Sequence, residues 1–314
     1  RRPGSVNGRP STPPSADSLE ATPRRFWVAG ATGFLGSHLC RDLRTRGHQV
    51  IAVSRRGGDA VAALDVCDKD EVAVSARGCD GAFLCTGKVS RDPADAEQLH
   101  RHNVVATRNA LAGLRQAGVR RVVVASTSGT IAVSSDASQI ADEESSAPMD
   151  LIARWPYYRS KLYGEREALG ANAPEFEVVI VNPSLLLGPG DLQGSSTIDV
   201  QRFLERAIPA VPAGGIAFVD ARDAATGMRL AFEHGRPGER YLLNAQNLTL
   251  AAFFQRLSRL TGVPAPRLPM PRSRPLALGL SKLFTQAVRA IGGEPPVDEV
   301  SVEMAQYFWY CSSD

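Results

Sequence analysis

Short apolar runs alternate with helix-like patterns along most of this 314-residue chain. The run Val122–Val124 is continuously apolar instead of alternating with polar residues. Continuous runs of this kind are typical of strands that are buried on both faces of a parallel sheet, and the intervening patterns fit crossover helices. The pattern therefore predicts consecutive βαβ units, an α/β fold with a parallel sheet.

The pattern also places individual elements. Strands are predicted at the apolar run that begins at Phe26 and at residues 50–53, 82–85, 119–125 and 178–181, the last of them ending at Asn182-Pro183. A first helix, with Leu35, Leu39 and Leu43 on one side, is closed by Gly47, and a second helical stretch covers residues 94–117.

Changes in amino-acid composition and pattern divide the chain into three parts. Residues 1–25 are rich in Arg, Pro, Ser and Gly, which predicts a disordered tail. Residues 26–185 carry the βαβ pattern. Beyond residue 185, prolines and glycines interrupt any alternation, so residues 186–314 are predicted to form a smaller mixed lobe over the C-terminal edge of the sheet, with parts of it completing that sheet.

A glycine-rich turn connects the first strand to the first helix. Glycines stand at 30, 33 and 36, with Thr32, Phe34 and Leu35 between them. A strand that turns abruptly into a helix presents free backbone N–H groups and the positive end of the helix dipole, which suit a pyrophosphate. In such a turn the three glycines serve the tight bend, the approach of phosphate and the packing of helix on strand. The run predicts a dinucleotide site.

A second group of residues suits proton transfer. Pro156 favours a helix start, so Tyr157 falls in the first turn, and Lys161 lies four residues later on the same face. A nearby ammonium favours the phenolate and is expected to lower the pKa of the tyrosine. Such a pair can act as a general acid or base toward a carbonyl or alcohol oxygen. Tyr158 competes for this role because it also meets Lys161, three residues away.

A third group lies at the end of the valine strand. Ser126, Thr127 and Ser128 follow it directly, and ligands bind outside the carboxyl ends of parallel strands. Hydroxyl groups at this position can hydrogen-bond a substrate oxygen and stabilise the charge that develops on it.

Composition narrows the function further. The net charge of +3 and the absence of a basic run with interleaved aromatics argue against nucleic acid as a partner. The five cysteines form no disulfide framework, which favours reduced thiols and a cytoplasmic location, and the five histidines show no metal-ligand spacing. His100 and His102 are expected on a solvated surface.

No transmembrane segment is predicted. The apolar segment at residues 276–291, broken by two cations, is expected to pack as a C-terminal helix, with a membrane surface as the alternative.

The three groups, in this order and spacing, resemble the extended short-chain dehydrogenase/reductases of the NAD-dependent epimerase/dehydratase superfamily. The likeness extends over residues 26–311. Within the superfamily, residues 119–130 are similar to the dihydroflavonol-reductase-like branch, and residues 182–190 and 238–242 to its hopanoid-associated epimerase-like members. The resemblance implies a Rossmann-type doubly wound parallel sheet that binds NAD(P) over residues 26–185, followed by a substrate-binding lobe.

The resemblance also implies roles for residues. Tyr157 would be the catalytic acid/base, and Lys161 would lower its pKa and hold the nicotinamide ribose. The family's strand-end hydroxyl falls on Thr127 or on Ser128, depending on how the following loop is aligned. Further cofactor contacts would fall on Asp65 and Val66 near adenine, on Thr86 and Gly87 after the fourth strand, and on Pro183 and Ser184 beside the nicotinamide.

Two departures from family patterns narrow the expected reaction and the expected cofactor. Dehydratases of this superfamily follow the catalytic Thr with Asp-Glu, whereas Ser128-Gly129 stand here, so a sugar-nucleotide dehydratase is disfavoured. An NAD enzyme of this fold carries a carboxylate after the second strand. This chain has Arg55 and Arg56 at that point, and a guanidinium fork matches a 2′-phosphate, so NADPH is favoured over NADH.

These observations lead to three hypotheses about function. The first is an NADPH-dependent oxidoreductase that reduces a ketone or aldehyde carbonyl, or oxidises a secondary alcohol, with a homodimer as one candidate assembly. The second is a nucleotide-sugar epimerase with tightly bound NAD. The third is a non-catalytic sensor of NADP, against which the presence of both Tyr157 and Lys161 argues.

Overall fold

A computed structural model describes residues 22–290, 292 and 297–313 of the chain. Residues 1–21 of the predicted tail lie outside the described residues. Arg25, which the sequence analysis assigned to that tail, is the first residue of the first strand.

The N-terminal part of the chain alternates strands and helices. In order they are β1 (Arg25–Ala29), α1 (Phe34–Thr45), β2 (Gln49–Ser54), β3 (Ala62–Ala63), α2 (Lys69–Ser75), β4 (Gly81–Leu84), α3 (Ala96–His100), α4 (Ala106–Gln116), β5 (Arg121–Ala125), α5 (Met149–Ile152), α6 (Pro156–Ala171) and β6 (Glu177–Pro183). The remaining elements are β7 (Leu185–Leu187), α7 (Ile198–Leu204), β8 (Gly215–Asp220), α8 (Ala221–His234), β9 (Arg240–Leu243), β10 (Gln246–Thr249), α9 (Leu250–Thr261), α10 (Arg274–Ala290), α11 (Glu299–Met304) and β11 (Phe308–Trp309).

Seven strands form one parallel sheet in the order β3-β2-β1-β4-β5-β6-β9. The strand order reverses between β1 and β4, which is the switch point of a doubly wound sheet, where ligands bind. One face packs against α1 and α8, and the other against α2, α4 and α6. The valines of β5 are fully buried, as their continuous apolar run predicted. This architecture confirms the predicted Rossmann-type fold.

The helical stretch that was predicted at residues 94–117 is interrupted. Between α3 and α4 the backbone forms one wide π turn at residues 101–105. Such turns are frequent at functional sites because they redirect side chains. Here the turn carries Asn103, which accepts a hydrogen bond from the Lys88 N–H and donates one to the Ser160 hydroxyl. It therefore ties the loop after β4 to α6.

The C-terminal part of the chain builds a second, smaller sheet around β8. Strands β7 and β11 pair with β8 in parallel, and β10 pairs with it antiparallel. Phe203, Phe253 and Phe254 form the apolar core of this region. Strand β9, which also belongs to residues 186–314, joins the large sheet beside β6, and β6 itself continues through Pro183, beyond its predicted end.

The predicted C-terminal helix is α10, with Ile291 lying outside the described residues. Its packing differs from the expectation. Ala277 and Thr285 are buried, whereas Leu276, Leu280 and Leu283 are exposed. No helix in the described part of the chain has the length and apolar content that crossing a bilayer requires.

Candidate active site

A single cavity of about 1190 Å³ opens along the carboxyl ends of β1, β2, β4, β5 and β6 and continues between the large sheet and the C-terminal lobe. It contains residues from all three groups that the sequence singled out. Its sheet side includes the glycine turn and the polar side chains of the three groups, and its lobe side has many apolar side chains together with polar ones such as Asp199 and Arg202. The cavity therefore extends from a region that suits a nucleotide to a region that is rich in apolar side chains.

The glycine turn has the sterically restricted form that the sequence predicted. Gly30 adopts φ = 75°, and a Cβ atom there would lie 2.5 Å from the Cys85 carbonyl oxygen. A Cβ at Gly36 would lie 2.2 Å from the Gly30 carbonyl oxygen. Both positions accept only glycine because backbone from another element occupies the space. Gly36 itself does not line the cavity but lets α1 start directly under the turn.

The start of α1 is arranged to hold an anion. Thr32, Gly33, Phe34 and Leu35 line the cavity. No side chain among the described residues caps the helix N-terminus, and its first turn contains no acidic residue. The free N–H groups and the positive dipole end then face the cavity, which is what a pyrophosphate requires. The turn thus fits the nucleotide cofactor that the fold implies.

Most of the other predicted cofactor residues also line this cavity. They are Arg55, Asp65, Val66, Thr86, Gly87, Lys161, Pro183 and Ser184. Arg56 is exposed and is not among the lining residues. His102 was expected on a solvated surface, yet it is half-buried, lines the cavity and has its Nε2 3.2 Å from the Arg55 guanidinium. His102 lies within the π turn at residues 101–105.

Tyr157 lies in the first turn of α6, as Pro156 predicted, and borders the cavity. Burial raises the pKa of its phenol, and a hydrogen bond with the Thr127 hydroxyl opposes that rise. The neighbouring Tyr158 packs its ring on Trp309 at 4.7 Å between centroids, and its pKa is raised to about 12 by burial despite the nearby Arg91. Tyr157 therefore faces the Thr127 hydroxyl, whereas Tyr158 packs on the Trp309 ring.

Lys161 borders the cavity one helical turn after Tyr157. Burial lowers the pKa of its ammonium to about 8, and Glu165 opposes that shift. Its Nζ donates a hydrogen bond of 2.8 Å to the Ala125 carbonyl. The sequence led us to expect a lowered Tyr157 pKa, but desolvation dominates at the phenol here and raises it. The ammonium is held at the end of β5.

The two candidate strand-end hydroxyls differ in their surroundings. Thr127 accepts a hydrogen bond from the Gly129 N–H at 3.3 Å and faces Tyr157. Ser128 is buried and hydrogen-bonds with the Cys311 thiol. Both residues border the cavity. The hydroxyl that meets the tyrosine is therefore that of Thr127.

Glu165 is a residue that sequence reasoning missed. It is buried in α6, and its Oε1 accepts hydrogen bonds from the Ser126 and Thr130 hydroxyls and, at 2.8 Å, from the Asn182 amide. Its second oxygen lies 3.7 Å from the Arg240 guanidinium. This one carboxylate joins α6 to the turn after β5 and fixes the segment that carries Thr127. Its position four residues after Lys161 was the available signal.

Arg91 is the second missed residue. It lies on the loop after β4 and lines the cavity. Its guanidinium donates hydrogen bonds of 2.9 Å to the Asp199 carboxylate of α7 and to the Ser301 hydroxyl of α11. The loop of the large sheet is thereby held against the C-terminal lobe. No short-range sequence pattern announces such a contact.

No group of three or more metal-ligating side chains is gathered anywhere in the described ranges.

Comparison with known proteins identifies the family of the chain. Residues 26–243 match the family model described as the NAD dependent epimerase/dehydratase family. A Synechocystis sp. protein provisionally named dihydroflavonol 4-reductase is 34% identical over 302 residues, which cover 92% of this chain and 87% of that protein. Sterol demethylase protein B of Methylococcus capsulatus is 34% identical over 258 residues, covering 78% and 76%. The chain belongs to the NAD-dependent epimerase/dehydratase family, the extended short-chain dehydrogenase/reductases.

A solved structure extends the likeness to the whole fold. The crystal structure of gox2253 superposes with a TM-score of 0.76 at 28% identity and covers 92% of this chain and 90% of its own. With family membership and the nucleotide turn together, the chain is an NAD(P)-dependent oxidoreductase of the extended short-chain type.

Proposed function

We propose that the protein uses NADPH to reduce the ketone or aldehyde carbonyl of an apolar substrate, or to oxidise the matching secondary alcohol. The observation that carries the proposal is the meeting of the Tyr157 and Thr127 hydroxyls in a cavity whose far side is apolar. The Thr127 hydroxyl lies within hydrogen-bonding reach of the Tyr157 phenol, and both residues line the cavity in which a carbonyl oxygen would lie.

The roles follow from this geometry. When bound, the nicotinamide supplies hydride to the carbonyl carbon. Tyr157 gives its proton to the carbonyl oxygen, which becomes the alcohol oxygen. Thr127 donates a hydrogen bond to the same oxygen and stabilises its developing charge. Lys161, whose Nζ is fixed on the Ala125 carbonyl one helical turn after Tyr157, would hold the ribose of the cofactor.

The lobe side of the cavity supports an apolar substrate. It is lined by Ile208, Phe253, Phe254, Leu268, Met270, Leu280, Phe284 and Trp309. Pockets with this lining bind through burial of apolar surface, with a few polar groups fixing orientation. The relatives point the same way, since one is named for a dihydroflavonol and the other for a sterol.

The decisive experiment measures the consumption of NADPH. Purified protein is incubated with NADPH and a panel of ketones and aldehydes that differ in chain length and ring content, and nicotinamide absorbance is followed. We expect stoichiometric oxidation of NADPH, fastest with bulky apolar carbonyls. Turnover of a nucleotide sugar with no net change in absorbance, and with NAD that co-purifies, would instead identify an epimerase and overturn the proposal.

The choice of cofactor can be tested at Arg55. Arg55 lines the cavity just after β2, where the ribose 2′ position of a nucleotide in this fold lies. A charge-assisted contact to phosphate contributes about 1.5–3 kcal/mol. Replacing Arg55 with Asp should therefore weaken NADPH binding by at least about tenfold and leave NADH binding nearly unchanged. Fluorescence titration of both cofactors measures the change.

Arg56→Asp is the matched control for this experiment. It makes the same charge reversal one residue away on a side chain that does not line the cavity, so its NADPH affinity should stay close to that of the parent protein. Equal affinity of the parent protein for NADH and NADPH would contradict the assignment of Arg55.

A further inference from the structure

Helix α10 shows its apolar side to solvent. Leu276 and Leu283 are 54% and 63% exposed, and Leu280, Phe284 and Ala287 are exposed beside them. Positions spaced by three and four residues share one face of a helix, so these side chains form one continuous stripe. We name this stripe, residues 276, 280, 283, 284 and 287, the outer face of α10.

The opposite side of the same helix is small and partly polar. Ala277 and Thr285 are buried, and Ser281 is half-buried between them. At the helix start, the Arg274 guanidinium lies 4.2 Å from the Tyr307 ring centroid and donates a hydrogen bond to the Tyr307 hydroxyl. The helix is therefore anchored by its less apolar side. An exposed leucine stripe on an anchored helix marks a contact surface, since isolated exposed leucines do not line up this way.

The segment of the chain that contains α10 carries charged residues of one sign only. From Gly262 to Gly293 the sequence contains no Asp or Glu but has four arginines and one lysine. Arg267, Arg272 and Arg289 are exposed and have no ion pair among the described residues, while Lys282 lies 3.8 Å from Glu299. An exposed apolar stripe in a segment whose charged residues are all cations suits the boundary between acyl chains and anionic headgroups.

The outer face also adjoins the cavity. Leu280 and Phe284 belong both to the stripe and to the cavity lining, and the exposed Leu268 lines the cavity as well. A surface that covered α10 would therefore lie at the mouth of the apolar half of the site. Because the outer face is continuous with the apolar half of the cavity, we expect its partner to be apolar, lipid-like material.

We propose that the outer face of α10 docks on the surface of an anionic lipid bilayer, with its leucines in the acyl boundary and with the exposed arginines of the same segment drawn to the headgroups. Docking would open the apolar half of the cavity toward the bilayer, so that an apolar carbonyl compound could enter without crossing water. This consequence for the substrate rests on the proposed reductase activity, whereas docking itself does not.

The test is vesicle binding by the full chain without cofactor or substrate. Flotation is measured with vesicles of equal parts phosphatidylcholine and phosphatidylglycerol and with vesicles of phosphatidylcholine alone. We expect binding to the anionic vesicles that weakens as salt is added, and much less binding to the zwitterionic ones. The double variant Leu276→Gln, Leu283→Gln should bind the anionic vesicles at least about tenfold more weakly, since it removes two inserting side chains.

A matched variant controls for the loss of surface leucines as such. Val74→Gln, Leu230→Gln also removes two apolar side chains, which are 62% and 42% exposed but belong to α2 and α8 beside the large sheet. It should bind vesicles like the parent chain. Thermal melting and NADPH titration confirm that both variants are folded, and neither pair of residues lines the cavity.

Three results would overturn the proposal. The parent chain could fail to bind anionic vesicles, or both double variants could bind equally well. Alternatively, light scattering could show a dimer that Leu276→Gln, Leu283→Gln abolishes while the parent chain ignores vesicles, in which case the outer face joins two copies of the chain. Each of these readings is independent of turnover, so failure of the reductase assignment leaves the docking test intact.

Discussion

Replacing Tyr157 with Phe should lower turnover by about 10²–10⁴-fold and leave NADPH affinity nearly unchanged. The substitution removes only the hydroxyl that meets Thr127, while the ring keeps its place in the first turn of α6. A positioned proton donor is lost, but the nucleotide turn and Lys161 remain. Steady-state kinetics on a carbonyl substrate from the NADPH screen, together with cofactor titration, measure the two quantities separately.

Tyr163→Phe is the control for that substitution. Tyr163 lies on the same helix and faces Arg166 instead of the cavity, so removing its hydroxyl should change turnover less than about threefold. The competing candidate is tested by Tyr158→Phe. If Tyr158→Phe lost activity and Tyr157→Phe retained it, the proton would come from the tyrosine that packs on Trp309, and the assignment would be wrong.

Replacing Gly36 with Ala should damage both cofactor binding and stability. The new Cβ would lie 2.2 Å from the Gly30 carbonyl oxygen and 2.8 Å from its carbon, so α1 must move away from the turn. Overpacking of this kind costs about 1–3 kcal/mol of unfolding free energy. The displaced N–H groups would also lose charge-assisted contacts to phosphate, which we expect to weaken NADPH binding by about 100-fold.

The matched control is Gly170→Ala. Gly170 lies near the end of α6, and no heavy atom lies within 4 Å of the place where its Cβ would be built. Because glycine costs conformational entropy in a helix, this variant should be more stable by up to about 1 kcal/mol and should bind NADPH normally. Chemical denaturation and cofactor titration give both values. Normal NADPH affinity in Gly36→Ala would show that the turn does not cradle the pyrophosphate.

Much of the nucleotide half of the site could be predicted because its signals are local. The glycine spacing at 30, 33 and 36 reports steric limits that act within a single turn, and the four-residue spacing of Tyr157 and Lys161 reports one face of one helix. The strand-end position of Thr127 follows from a continuous apolar run. Each of these inferences needs only the geometry of one element and its immediate neighbour.

The contacts that complete the site are not local, and no short-range pattern in the sequence predicts them. Arg91 meets Asp199 and Ser301, which lie 108 and 210 residues further along the chain. Glu165 gathers groups from the end of β5 and from β6. Likewise, which of the two hydroxyls faces Tyr157 depends on the path of the turn after β5, and alignment alone left Thr127 and Ser128 equivalent.

The C-terminal helix shows most plainly where local information ends. Its periodicity determines which residues share a face, so the leucine stripe of α10 is already present in the sequence. Periodicity does not determine which face a neighbouring element covers, and apolar residues were expected inside. In the tertiary structure, α11 packs on α10 and Tyr307 contacts Arg274 at the helix start, while Ala277 and Thr285 are buried and Leu276, Leu280 and Leu283 are left outside. The sequence by itself thus determined the fold class and the spacing of the glycine turn and of the candidate tyrosine and lysine, while only tertiary packing decided which side chains face the cavity and which face the surroundings.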